Sequence, residues 1–175
     1  MNAKDYVGRL RDTKLEKEIV GNLHQAGEST AFDFVCELLD VHEVVALDVA
    51  RRCLRSRDHF VAILRMGLVR GDAGSIKHWL ECVKDRLGLR RVILCLVESF
   101  QEFPNGVARA MYFVRQFVDP NDSELFDALV DLERLIWESG FEIGPRKLLV
   151  DGKPYFLPVE NGARSRKDVD GGSID

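Results

Sequence analysis

Residues 60–86 and 92–118 align at an offset of about 32 positions with most of their apolar side chains in register. In the first helical stretch Phe60/Val92, Val61/Ile93, Ala62/Leu94, Ile63/Cys95, Leu64/Leu96 and Leu68/Phe100 coincide. Gly74 then meets Gly106, and a second stretch pairs Ile76/Ala108, Trp79/Met111, Leu80/Tyr112 and Cys82/Val114. A fixed period of this size marks stacked helix pairs, because no pair can bury its apolar face without a neighbour. Such stacks present long surfaces on which other molecules dock.

The punctuation around these stretches extends the reading along the chain. Thr13 caps a helix carrying Leu15, Ile19, Val20 and Leu23 that ends near Gly27, after a short helix over 5–11. Ser29 or Thr30 opens the next, with Phe32, Phe34, Val35, Leu38 and Leu39, and a further helix spans about 41–56. Asp58 caps a helix over 59–70 that Gly71 stops, and Asp72 or Ser75 caps one reaching Leu87, with Gly88 beyond its end. Residues 89–103 follow and are halted by Pro104-Asn105-Gly106, then 107–118, halted by Asp119-Pro120. Asp122 and Ser123 open the last helix, which runs to Ser139 with Gly140 after it. Counted from Thr13, this gives eight helices. Past Gly140 the pattern changes. Asp151-Gly152 is a hairpin turn between two short extended segments, with Pro154 and Pro158 limiting any ladder. The expected organisation is a helical domain over 1–143, an extended segment over 144–160 packed on it, and a polar flexible tail over 161–175.

The paired helices, with the second-helix stretches 44–54 (Val-Val-Ala-Leu-Asp-Val-Ala-Arg-Arg-Cys-Leu) and 107–118 (Val-Ala-Arg-Ala-Met-Tyr-Phe-Val-Arg-Gln-Phe-Val), resemble the HEAT/armadillo class of helical repeats over residues 28–140. The resemblance implies an all-α, right-handed superhelix of antiparallel helix pairs that binds partners. It carries over no functional residue.

Charge is segregated along this scaffold. The formal net charge is only −4, which argues against general affinity for nucleic acid. Yet residues 28–48 hold six acids and no Lys or Arg, residues 51–91 hold eleven bases against four acids, and residues 119–142 hold eight acids against Arg134 alone. Arg51, Arg52, Arg55 and Arg57 surround one junction between helix pairs; Arg86, Arg90 and Arg91 surround the next. Successive junctions of a stack lie along one edge, so the seven arginines are expected to form a single basic ridge. Cations favour helix C-termini, which accounts for Arg52, Arg55 and Arg86. That preference runs against Arg57, Arg90 and Arg91 at helix starts. Two explanations stand: an external anion, phosphate or acidic protein, or internal pairing with the acidic helices.

The four cysteines lie within helical apolar runs and are expected to be reduced core thiols rather than a disulfide framework. Cys82 and Cys95 stand equally far from the turn at Gly88, and His78 lies one turn before Cys82. That makes His78, Cys82 and Cys95 the weak candidates for a metal, but the set is incomplete and core packing is the expected role. Trp79 is expected in the core and Trp137 on the apolar side of the last helix, leaving no aromatic stripe for stacking bases. The chain carries no nucleophile elbow, His-Glu-x-x-His helix, phosphate-binding loop or dinucleotide fingerprint, so no catalytic residue and no cofactor are assigned.

Composition bounds the rest. With 46% hydrophobic and 31% charged residues and no apolar run near the roughly 20 residues of a membrane span, the expectation is a soluble cytoplasmic protein without a membrane partner. The favoured function is a non-catalytic protein-interaction module, a scaffold or adaptor, whose protein partner the residues do not identify; an acidic protein is one that would suit the arginines. A nucleic-acid-associated protein using the arginine ridge is the first alternative, and an enzyme in an atypical helical fold the second.

Overall fold

The computed structural model describes residues 13–119, 121–140, 148–150 and 153–155. The chain divides into two units, Met1–Ile143 and Gly144–Asp175. Among the described residues the first unit is all-α, with eight helices: α1 (Thr13–Ala26), α2 (Glu28–Leu39), α3 (Glu43–Cys53), α4 (Arg57–Arg70), α5 (Ile76–Leu87), α6 (Leu89–Ser99), α7 (Pro104–Phe117) and α8 (Ser123–Glu138). In the second unit β1 (Leu148–Val150) pairs antiparallel with β2 (Lys153–Tyr155), Val150 opposite Lys153 and Leu148 opposite Tyr155. The expected short helix over 5–11, the Asp151-Gly152 turn and the tail over 161–175 lie outside the described residues.

Most consecutive helices fold back on each other, α2 on α3 and α4 on α5 making the broadest contacts, whereas α3 and α4 barely touch. Alternate helices also pack: α1 on α3, α3 on α5, α5 on α7 and α6 on α8. The shared core draws on every helix. Phe60, Trp79 and Met111 are fully buried, each contributing about 1.5–3 kcal/mol by leaving water. Phe60 and Val92, Ile63 and Cys95, Leu64 and Leu96, and Trp79 and Met111 are buried pair by pair, as their sequence alignment demands.

Several boundaries differ from expectation for local reasons. The cap of α4 is Ser56, whose Oγ accepts the Asp58 N–H at 3.2 Å, so the helix starts two residues earlier than an Asp58 cap would give. The helix expected over 41–56 is trimmed to α3, because Leu54 has extended backbone. Pro104 does not merely halt a helix; it starts α7, where its missing N–H costs nothing. Gly74 and Gly106 are not equivalent: Gly74 is exposed in a turn, whereas Gly106 is buried in the first turn of α7. Tyr112 is 58% exposed although its aligned partner Leu80 is fully buried. Trp137 is 47% exposed, because α8 buries the line Leu129, Leu132 and Ile136 and the next residue swings away from it.

Close approach is bought with glycine at two crossings. A Cβ on Gly67 would stand 2.7 Å from the Trp79 ring, and one on Gly106 would overlap the Leu68 carbonyl oxygen. These glycines let α4 lie directly against α5 and α7.

Candidate interaction surface at the arginine-rich end

Because the helices alternate in direction, the α1–α2, α3–α4, α5–α6 and α7–α8 connections collect at one end of the bundle. A chain of polar contacts links successive junctions across that end. Glu28, the first residue of α2, accepts with Oε1 the backbone N–H groups of Arg55 (2.7 Å) and Ser56, and meets His59 Nδ1 at 3.1 Å. The His59 ring stacks on Phe32 at 4.4 Å between centroids, only 9° from parallel. Arg86 on the last turn of α5 donates from Nη2 to the Arg51 carbonyl at 3.4 Å, serving a carbonyl that the end of α3 leaves without a helical partner. Arg90 at the start of α6 reaches Glu124 at the start of α8 at 2.7 Å.

All seven arginines of the expected ridge, Arg51, Arg52, Arg55, Arg57, Arg86, Arg90 and Arg91, are solvent-exposed. The Arg86–Arg51 contact brings the two junction clusters together. Their environments differ. Arg52 pairs with Asp48 one turn back on α3 at 2.9 Å, Arg91 with Glu98 at 3.0 Å, and Arg90 with Glu124. Arg55 and Arg57 make no ion pair with any described residue. Acids adjoin the ridge from both sides, Glu28 from α2 and Glu124 from α8, but Glu28 binds backbone N–H groups instead of guanidinium.

The electrostatics follow from these partners. The Ser56 and Arg55 backbone N–H groups, and then His59, hold the Glu28 carboxyl below its ordinary range. The Glu98 carboxylate holds Arg91 more firmly protonated. Burial pushes all four thiols up, Cys82 to about 11, so each carries little thiolate near neutral pH.

The three weak metal candidates do not converge on a ligand set. His78 is exposed and lies 3.8 Å from Glu81, whereas Cys82 is buried and donates from Sγ to the Leu47 carbonyl on α3 at 3.5 Å. Cys95 is buried with Arg91, Glu98 and Arg65 as its charged neighbours. Among the described residues no three His, Cys, Asp or Glu side chains group so as to hold a metal ion. All four cysteines are free; Cys53, Cys82 and Cys95 are buried, but Cys36 is only partly so, against the expectation of four core thiols.

Sequence reasoning places acidic segments on both sides of the ridge but does not single out Glu28 or Glu124, since their partners lie 27 to 34 residues away. It also left Arg65 off the surface, although Arg57 and Arg65 are two helical turns apart on α4. The Arg91–Glu98 pair carried a local signal, two helical turns on one face of α6.

No protein-family model, no curated protein and no solved structure matches this chain. No helix among the described residues is long and apolar enough to cross a membrane.

Proposed function

We propose that this chain is a cytoplasmic, non-catalytic protein-interaction module of the helical-repeat type, HEAT-like in arrangement, whose arginine-rich end docks an acidic protein surface. The repeat reading is supported by the row in which α1 packs on α3, α3 on α5 and α5 on α7. One observation carries the docking reading: seven arginines from two junctions are exposed at one end, and the pair at Arg55 and Arg57 has no carboxylate partner among the described residues. Internal pairing consumes Arg52, Arg90 and Arg91, Arg86 donates to the Arg51 carbonyl and Arg51 neighbours the Cys82 thiol, so Arg55 and Arg57 are the ridge arginines left exposed without such a contact among the described residues. Uncompensated guanidinium groups at helix starts work against the helix dipole, and a bound anion offsets that cost.

The test is capture from native cell extract with the wild-type chain and with a variant carrying Arg57→Glu, Arg90→Glu and Arg91→Glu, each with and without nuclease. Acidic proteins recovered by the wild type, resistant to nuclease and lost with the reversed variant, support the reading. Recovery abolished by nuclease, with binding that falls steeply as salt rises, overturns it in favour of nucleic acid.

A further inference from the structure

The arginine-rich end is basic over only part of its surface. Each contact across it joins one connection to the next: Glu28 reaches the α3–α4 connection, Arg86 ties the end of α5 to the end of α3, and Arg90 ties the start of α6 to the start of α8. Along this succession the sign of the charge reverses. Residues 51–58 carry four arginines against Asp58 alone, whereas residues 119–127, at the α7–α8 connection, carry Asp119, Asp122, Glu124 and Asp127 with no base. All four of these acids are exposed. Asp119 accepts from Asn121 and Asp122 from the Leu125 N–H, but neither they nor Asp127 makes an ion pair with a described residue. Arg55 and Arg57 make none either. Two patches of opposite, uncompensated charge thus share one end of the bundle, and the chain does not pair them with each other.

We propose that a second copy of this chain docks here, end to end about a twofold axis near the Arg90–Glu124 pair, with Arg55 and Arg57 of each copy facing Asp119, Asp122 and Asp127 of the other. The inference rests on the interaction reading above and names the acidic partner as the chain itself. The layout of charge selects that occupant. Anything that covers the arginines also approaches the carboxylates at the same end. A nucleic acid, negative throughout, gains at the first patch and is repelled at the second. A fitting partner presents acids and bases in the reverse order. A twofold operation supplies that order, because an isologous interface sets each patch against the other patch of its copy. Arg90 and Glu124 fall near the axis, where each can exchange its partner at 2.7 Å for the same residue of the second copy; both side chains are 70% exposed or more, so the exchange costs little. Among the described residues no large exposed apolar side chain stands in these connections. Charge therefore holds the pair, and the dimer is weak and salt-sensitive.

Sedimentation velocity on the full chain tests this, over about 5 to 500 μM protein, in low salt and in about 0.5 M salt. In low salt the mass should rise with concentration from 19.9 kDa toward twice that value. High salt should weaken the association by about tenfold or more. Two reversed variants, Arg55→Glu with Arg57→Glu and Asp119→Arg with Asp127→Arg, should each self-associate at least about tenfold more weakly. Their equimolar mixture should dimerise again, since both contacts between the unlike variants are attractive. Val44→Asp, at an exposed valine near the start of α3 and so at the opposite end, should leave association unchanged. Circular dichroism confirms that each variant is folded, and the milder Arg57→Gln and Asp127→Asn should show the same loss in smaller measure. Association that the mixture fails to restore, that strengthens with salt or that Val44→Asp abolishes overturns the end-to-end pair. A chain that stays monomeric throughout also overturns it. The mixture reads self-association alone and the capture experiment reads foreign partners, so failure of the pair and failure of the acidic-protein reading are told apart.

Discussion

At the end of the bundle that holds the α2–α3, α4–α5 and α6–α7 connections, backbone lies on backbone. Gly106 at the start of α7 sits against the Leu68 carbonyl near the end of α4. Asp72 accepts with Oδ1 the N–H groups of Gly74 and Ser75 while Ser75 Oγ accepts the Asp72 N–H, which closes the α4–α5 turn locally. At the opposite end the junctions meet through side chains: Glu28 to the connection before α4, Arg86 to Arg51, Arg90 to Glu124. The first end also has an exposed pair, Arg70 to Asp40 at 2.6 Å, but its crossing at Gly106 cannot vary without moving a helix. The second is joined by long, mostly exposed side chains that can exchange partners at little cost to the fold.

The largest effect should come from Gly106→Ala. Alanine is the better helix former by about 1 kcal/mol, so propensity alone predicts stabilisation. The added methyl instead collides with a main-chain oxygen, which cannot rotate away as a side chain could. The expected loss is about 3 kcal/mol or more, read as a lower urea midpoint with unchanged slope. A neutral result would show that the two ends do not differ in rigidity.

An intermediate loss is expected at the ion pair between α7 and α8. Arg115 Nε donates to Glu133 Oε1, and the side chains are only 14% and 13% exposed. Arg115→Ala strands a largely desolvated carboxylate and should cost about 2–3 kcal/mol, whereas the same change at exposed Arg90 should be nearly silent. Equal costs for the two would remove burial as the distinction between structural and surface arginines.

Glu28→Gln should cost less, about 1 kcal/mol, because an amide oxygen still accepts the Arg55 and Ser56 N–H groups but without charge. The pH dependence follows from the lowered carboxyl. A group whose folded pKa lies below its unfolded value adds stability that is complete above the unfolded carboxylate range and lost as pH falls through the folded value. Wild type and Glu28→Gln should therefore converge in stability as the solution is acidified below about pH 4. A gap that persists there would assign the loss to something other than the carboxylate's charge.

These differences were unequally legible in the sequence. Helical periodicity gave the helix count, and local signals such as the Asp122 cap, whose Oδ1 accepts the Leu125 N–H at 3.1 Å, and Gly88 with φ of 79° gave several boundaries. Pro104 was ambiguous because proline serves both a helix stop and a first helical position, and only packing against α4 selects between them. Gly106 read as a turn glycine since nothing in the chain announces that Leu68 will arrive beside it. The seven arginines were legible as two clusters, but their exposure and the contact that joins them depend on how α3 and α5 pack. Trp137 shows the limit of an apolar stripe: one step beyond the buried line of α8 is enough to bring a tryptophan half into solvent.

The smallest effect on the fold belongs to the arginines at helix starts, and it should carry an unexpected sign. Arg57 is the first residue of α4, where the unsatisfied N–H groups leave partial positive charge, and it makes no ion pair with a described residue. Replacing it by glutamate exchanges an unfavourable interaction with the helix dipole for a favourable one. Asp58 beside it and Glu28 across the junction oppose part of that gain by like-charge repulsion. Arg57→Glu should thus raise stability by a few tenths of a kcal/mol, roughly 0.3, or leave it unmoved, and added salt should shrink the difference. Arg90→Glu and Arg91→Glu lose exposed pairs with Glu124 and Glu98 and gain the same dipole benefit, so the triple reversal should keep the native circular dichroism and denaturation midpoint. Binding should move in the opposite direction, with an acidic partner weakened several fold by a variant that folds as well as the wild type. If the triple reversal unfolds the chain, the arginines at this end hold the helices together as firmly as the glycines do at the other, and the division of labour between the two ends is lost.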